Sequence, residues 1–587
     1  MTTPAALRPR QPLWVPGVAA VGSAAALLGV LLVAGFVAVG LHAGPVAWGR
    51  LLGTTTWYPT GALFGAGAML YGTAVVSVVA LGLAVPVGWS AAVGLHEHLP
   101  SSTGRWLRSA VELLAAVPSI VYGLVGIAVV RPFVAAVGDV PGGDSLLAAG
   151  LVLAVMVLPT VVAVSIDALA AVPEQVREAA AALGLTRTEV VRSAVLPLAR
   201  RGMRGAVLLA LARALGETIA VFLVIGRADR GVPGPSHLLA SLFEPGQTLT
   251  TKLGGPEPVL ASAVGPQRAA LCALALLLLV TVATVTALGA GRRGAVAATR
   301  RTHRGSARRG RVARDRLVRG LRWASVGLPV LLVLGILGLL AVRGHVAVHP
   351  SFWTTAAVGA DGGGVRDQLL GTLVLVAATA ALSLPLGAGL GLLLAEYAPV
   401  RLRHGARTAV LTLGGVPTIV LGLAGYAVFS LALGWGKSWV AGVLVLSVVV
   451  VPVVAVSTAT RLDALDPDRR AAAAALGLTR SQLVRAVLLP YARPAVLTGL
   501  LLGLARAAGE TAPLLFTATV FAGASSLPHG VVRAPVESLP THIFTLAQDA
   551  SQASAVDAAW GSGLVLVVLI GALLLGALPL RRRLEQP

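Results

Sequence analysis

Cysteine is nearly absent. Cys272 is the only one in 587 residues, and it lies inside an apolar run. No disulfide can close within the chain, and no cysteine metal site can form. Lysine is almost as scarce, with only Lys252 and Lys437, so the positive charge is nearly all arginine. Charged residues of both signs make up 12% of the chain, against about a quarter in soluble domains. Hydrophobic residues reach 56% and the mean hydropathy is +0.86, which makes the bilayer the expected solvent. Catalytic signatures are missing too. Gly436-Lys437-Ser438 ends like a Walker A loop, but Leu431 stands where its first glycine is required. His96-Glu97-His98 lacks zinc-protease spacing and reads as a solvated loop. There is no G-x-S-x-G and no H-E-x-x-H, so neither covalent catalysis nor hydrolysis is expected of this chain.

The net charge of +22 does not point to nucleic acid, because the arginines gather in short segments between apolar runs. Runs long enough to span a bilayer, about 20 residues each, lie near 17–40, 71–95, 107–133, 145–170, 204–228 and 266–290. A second set lies near 324–342, 369–395, 406–434, 439–460, 495–521 and 561–580. The expected fold is all-α and polytopic, with about 12 transmembrane helices. The run at 17–40 is too long for a signal-peptide core and reads as a retained helix. Basic residues fall in alternate connections, so the positive-inside rule puts both termini in the cytoplasm. From Arg292 to Arg322 there are 12 arginines and one acid, Asp315. This stretch reads as a disordered cytoplasmic linker in contact with anionic lipid.

The chain contains itself twice. GTAVVSVVALGLAVPVG from Gly72 matches GTLVLVAATAALSLPLG from Gly371, and VPSIVYGLVG from Val117 matches VPTIVLGLAG from Val416. AAAALGLTRTEVVRSAVLPLAR from Ala179 matches AAAALGLTRSQLVRAVLLPYAR from Ala472, and LARALGET from Leu211 matches LARAAGET from Leu504. Six spans per copy is an even number, so both copies sit the same way up, as a parallel repeat with a pathway expected between them. The divisions are 1–290, a linker at 291–323, and 324–587.

Two motifs carry chemistry. The first is the cytoplasmic segment between spans four and five of each copy: Glu178, Ala179, Ala180 and Gly184, repeated as Ala471, Ala472, Ala473 and Gly477. It reads as two short helices about a glycine turn, with Pro197 and Pro490 opening the next helix. The second is Arg213, Glu217 and Thr218, repeated as Arg506, Glu510 and Thr511, each set inside a predicted fifth span. An arginine in hydrocarbon costs about 2.5–3.5 kcal/mol on insertion scales, so it faces protein or water. Arg and Glu four apart share a helix face and can pair. They either brace helices or bring two guanidiniums onto an anion, for which the planar fork of arginine is suited.

The first motif resembles the coupling loop of permease subunits in ATP-binding-cassette importers. The longer segments resemble phosphate permeases: the subunit type lettered C (PstC-like) for the first half and the type lettered A (PstA-like) for the second. The resemblance covers nearly all of the chain except about the first 60 residues and the linker, and it implies the type I importer fold as two 6-helix repeats. It implies that Glu178, Ala179, Ala180, Gly184, Ala472, Ala473 and Gly477 dock two cytoplasmic ATP-binding subunits (PstB-like). Ala471 departs from the pattern, where the motif has glutamate. It implies a role in phosphate movement for Arg213, Glu217, Arg506 and Glu510, delivery by an external phosphate-binding protein (PstS-like), no cofactor or metal, and residence in the bacterial cytoplasmic membrane. An importer of another oxyanion, such as sulfate or molybdate, remains open from the residues. So do an ion-gradient-driven transporter and a membrane sensor.

Overall fold

The computed structural model describes residues 44–99, 116–229, 231–255, 265–290, 308–358, 362–520, 532–548 and 553–585, with isolated positions at 29, 107, 111, 114 and 530. The expected span at 17–40 and residues 291–307 of the linker lie outside these. In chain order the principal helices of the first half are α1 (Gly67–Val93), α2 (Ser119–Val125), α3 (Leu146–Ala170), α4 (Glu174–Ala182), α5 (Leu196–Gly216), α6 (Ile219–Phe222), α7 (Leu249–Leu253) and α8 (Gly265–Ala290). The second half has α9 (Arg308–Arg343), α10 (Arg366–Leu392), α11 (Val400–Gly414), α12 (Thr418–Gly425), α13 (Trp439–Asp463) and α14 (Pro467–Ala475). It ends with α15 (Leu489–Ala508), α16 (Ala512–Thr517), α17 (Leu539–Gln548) and α18 (Ala553–Glu585). The strand content among the described residues is two short ribbons, Trp57–Tyr58 with Leu63–Phe64 and Ala357–Val358 with Gly362–Gly363.

Nine helices among the described residues are long and apolar enough to cross a membrane, and a bent pair makes a tenth span. Of the twelve expected, one is the undescribed 17–40. The other is α5, whose Arg200, Arg201, Arg204 and Arg213 dilute its hydropathy. Lipid supplies no hydrophobic drive between helices, so packing must do the work. The same helices pack in both halves: α1 on α3 and α3 on α5, then α10 on α13 and α13 on α15.

Three expectations are corrected here. The third spans are not continuous. Residues 405–414 and 418–432 meet at 89°, because Pro417 opens a new helix instead of extending the old one. Pro118 starts α2 in the same way. The fifth spans, expected at 204–228 and 495–521, stop at Gly216 and Ala508 and restart at Ile219 and Ala512. The linker is not wholly disordered, since α9 runs unbroken from Arg308 into the first span of the second half. That helix packs against α1 and α2 of the first half as well as α18 of its own.

Candidate functional site

Each fifth span breaks at the Gly-Glu-Thr of its motif. Glu217 leaves the helix in extended geometry and Thr218 precedes α6. In the second half Gly509 caps α15, and Pro513 re-initiates the chain as α16. The breaks interlock across the two halves. A methyl built on Gly216 would lie 3.6 Å from the Pro417 ring, and one on Gly509 would lie 3.3 Å from the Pro118 ring. Each break thus packs on the proline that opens the break of the other half, in ordinary contact at Gly216 and close enough at Gly509 that a side chain there would crowd the ring.

The side chains at the two breaks are not equivalent. The expected Arg213–Glu217 pair does not form, because the helix ends before Glu217 can stack under Arg213. The Glu217 carboxylate instead accepts from the Ala220 amide at 3.3 Å and is hydrogen-bonded by Ser119. The Glu217 carbonyl accepts from Thr250 Oγ1 at 2.7 Å. Arg213 has one long contact, Nη1 to Thr160 Oγ1 at 3.5 Å, and no ion pair among the described residues. In the second half Arg506 Nε does meet Glu510 Oε1, at 3.4 Å, with the arginine side chain 46% exposed. Glu510 is close enough to Glu217 to interact with it electrostatically, as is Arg213. Thr218 and Thr511 are buried, and Thr511 Oγ1 has no partner among the described residues. The structure thus brings Arg213, Glu217 and Glu510 together and ties Arg506 to Glu510.

The second motif pair forms two matching elbows. Helices α4 and α14 each end in a left-handed glycine, Gly184 at φ 75° and Gly477 at φ 71°. Capping boxes from Thr186 to Glu189 and from Thr479 to Gln482 start the following short helices. Ala180 and Ala473 face inward, while Glu178, Ala179, Ala471 and Ala472 are exposed. The tips are Leu183 and Leu476, 81% and 80% exposed.

Sequence reasoning missed what holds these elbows. Glu97, expected in a solvated loop, is buried in a π-helical turn at Gly94–His98. Its Oε1 lies 3.0 Å from Nη2 of Arg177 on α4. That guanidinium also donates to the Leu169 and Val172 carbonyls at 2.8 and 2.6 Å. Burial alone would lower the Arg177 pKa, but the Glu97 and Glu174 carboxylates together outweigh it and hold it above the usual arginine value. The second half repeats the clamp: Arg470 Nη1 to Glu396 Oε1 at 2.5 Å, and Nη2 to the Leu462 carbonyl at 2.7 Å. The signal was present in the repeat, since Glu97 and Glu396 are 299 apart and Arg177 and Arg470 are 293 apart. Breaking a buried pair by removing one partner costs about 3–5 kcal/mol. Arg177→Met is expected to lower thermal stability and uptake, with Glu97→Gln added recovering part of the loss. A double-mutant cycle on thermal unfolding measures it, and a coupling near zero would dismiss the clamp.

Residues 84–293 and 387–585 each match the family of binding-protein-dependent transport system inner membrane components. The chain belongs to that family. The permease carries the family domain twice, and its relatives are of two subunit types. It is 38% identical to the phosphate transport system permease protein PstC of Mesorhizobium japonicum over 256 residues, which is 39% of this chain and 75% of that one. It is 35% identical to PstC of Haemophilus influenzae over 259 residues, 41% of this chain and 79% of that one. It is also 38% identical to phosphate transport system permease protein PstA 2 of Mycobacterium bovis over 211 residues, 36% of this chain and 69% of that one. The permease is a multi-pass membrane protein of PstC/PstA-like fused type.

Proposed function

We propose that this chain is the whole transmembrane pathway of an ATP-driven, binding-protein-dependent importer of inorganic phosphate. Residues 1–290 form its PstC-like half and 324–587 its PstA-like half. Both termini and both elbows face the cytoplasm, where two separate ATP-binding subunits dock. Hydrolysis belongs to those subunits. Phosphate arrives outside from a binding protein. The observation that carries the reading is the crossed pair of helix breaks, with Arg213, which pairs with no carboxylate among the described residues, at one and Arg506 at the other. A guanidinium at a helix break inside an apolar bundle is a costly arrangement that an anionic cargo makes useful. The names of the PstC and PstA relatives point to phosphate among oxyanions.

Labelled phosphate uptake tests it, in cells lacking their own high-affinity phosphate permease and supplied with this chain, an ATP-binding subunit and a binding protein. Uptake should appear only with all three, be lost when the ATPase's catalytic glutamate is replaced, and resist excess sulfate. Uptake that persists without the ATPase would overturn the reading, as would equal competition by sulfate.

A further inference from the structure

The repeat relates two cavities to one another. In the first half the Thr73 hydroxyl accepts from the Leu249 amide at 3.0 Å, and in the second Thr372 accepts from Leu539 at 2.9 Å. This fixes the register: Gln247 corresponds to Glu537, Thr251 to Thr541 and Lys252 to His542. The 293 offset pairs Arg227 with Val520. The first cavity holds about 260 Å³ and is lined by Phe222, Arg227, Asp229, Gln247, Thr251 and Lys252. Its counterpart, lined by Val520, Glu537, Ser538, Thr541, His542 and Thr545, has shrunk to about 10 Å³. The Gln368 amide donates to Glu537 at its edge. One member of the pair is roomy and carries two cations. The other is closed and carries a carboxylate where the first has an amide.

The open cavity is built around a buried charge. Lys252 is 2% exposed, with Nζ 2.6 Å from Asp229 Oδ2 and 4.9 Å above the Trp57 ring. Arg227 stands at φ 55°, a conformation uncommon outside glycine, with its guanidinium 4.7 Å above the Phe222 ring. Arg227 also reaches Asp144 electrostatically, but Arg131 holds that carboxylate at 2.6 Å, so among the described residues the lining keeps a net positive charge in a space several waters wide. Gln247 is 8% exposed, and its Oε1 has no hydrogen-bond donor among the described residues. That oxygen has almost no accessible surface, so the acceptor presented to a ligand is the Asp229 carboxylate on the wall. The combined demand is for an anion that also donates a hydrogen bond. Hydrogen phosphate meets it, whereas sulfate has no proton to offer.

The cavity also touches the break. Thr250, two residues before Lys252 on α7, is the donor to the Glu217 carbonyl, and Gly254 packs on Thr218. Phe222, on the cavity wall, lies 5.2 Å from Phe544 of the second half.

We propose that this cavity is an outer staging site for phosphate, present in the first half alone, holding the ion between its release by the binding protein and its passage to Arg213. The proposal rests on the reading of the chain as a phosphate importer. The test uses the full chain in lipid nanodiscs and labelled inorganic phosphate, with uptake measured in parallel. Lys252→Met and Arg227→Gln should each weaken binding and raise the KM for uptake about 10-fold or more, the value of one charge-assisted contact. The maximal rate should stay unchanged. Lys252→Arg should stay near wild type, and a melting curve checks that each variant folds. Arg213→Ala should keep the bound phosphate while losing uptake. A folded Lys252→Met chain with wild-type binding and KM would overturn the staging site. If wild type took up no phosphate but bound sulfate or molybdate with the same dependence on Lys252, the phosphate reading would fail and the anion cavity would stand. No binding of any of these oxyanions to wild type would overturn the cavity.

Discussion

Phosphate uptake is expected to fall about 30-fold or more when Arg213 becomes alanine, and less than about 10-fold when Arg506 does. The two arginines are repeats of each other, so the difference must come from their surroundings. Arg213 has no carboxylate partner among the described residues and only a 3.5 Å contact to Thr160. Its donors are therefore available to cargo, and removing it forfeits a charge-assisted contact of about 1.5–3 kcal/mol with nothing regained. Arg506 is half exposed and engaged with Glu510. Much of what its removal costs is the carboxylate it leaves behind, near Glu217. Adding Glu510→Gln to Arg506→Ala should therefore restore part of the uptake, and adding Glu217→Gln to Arg213→Ala should not. Initial rates of labelled phosphate uptake at equal membrane levels decide it. Equal losses at 213 and 506, or a rescue at 217 instead of 510, would sink the asymmetry.

Glutamate at both Leu183 and Leu476 is expected to separate the permease from the ATP-binding subunits proposed to dock there, while leaving it folded. These leucines are about four-fifths exposed at the tips of the elbows. The left-handed glycine after each fixes the turn, so neither can fold back onto its own helix. Burying a leucine fully is worth about 1.5–3 kcal/mol, so the pair amounts to about 3–6 kcal/mol, or 10²–10⁴ in affinity. Co-purification with the ATP-binding subunit should be lost in the double variant. ATP hydrolysis should no longer respond to the loaded binding protein, while the melting curve stays unchanged. Each single change should weaken association less. Retained co-purification in the double variant would remove the elbows from the docking surface.

Much of this architecture could be read before any coordinates. Hydropathy gave the spans because lipid leaves the backbone no other choice, and the repeat gave both elbows because their turn depends on local residues: glycine, threonine cap and proline. The breaks at Glu217 and Glu510 were hidden. Gly-Glu-Thr is short and its flanks are apolar, so the run looks continuous, and the proline that packs on each break comes from the other half, roughly two to four hundred residues away. The same holds for the Arg213–Glu217 pair, which helical spacing predicts and the helix end cancels. The Glu97–Arg177 clamp joins residues 80 apart, beyond the reach of any local pattern, although the two offsets of the repeat mark both partners. Lys252 was visible only as one of two lysines. Nothing in its neighbourhood announces that it is buried against Asp229.

The contacts of Gly216 with Pro417 and of Gly509 with Pro118 involve backbone and proline rings, neither of which has a rotamer to change. Exposed side chains flip on a picosecond to nanosecond scale, whereas packed helices move against each other over about microseconds to milliseconds. Contacts of this composition are blind to the fast motions. Changing either one takes movement of whole helices, and because each ring belongs to the opposite half, that movement is of one half against the other.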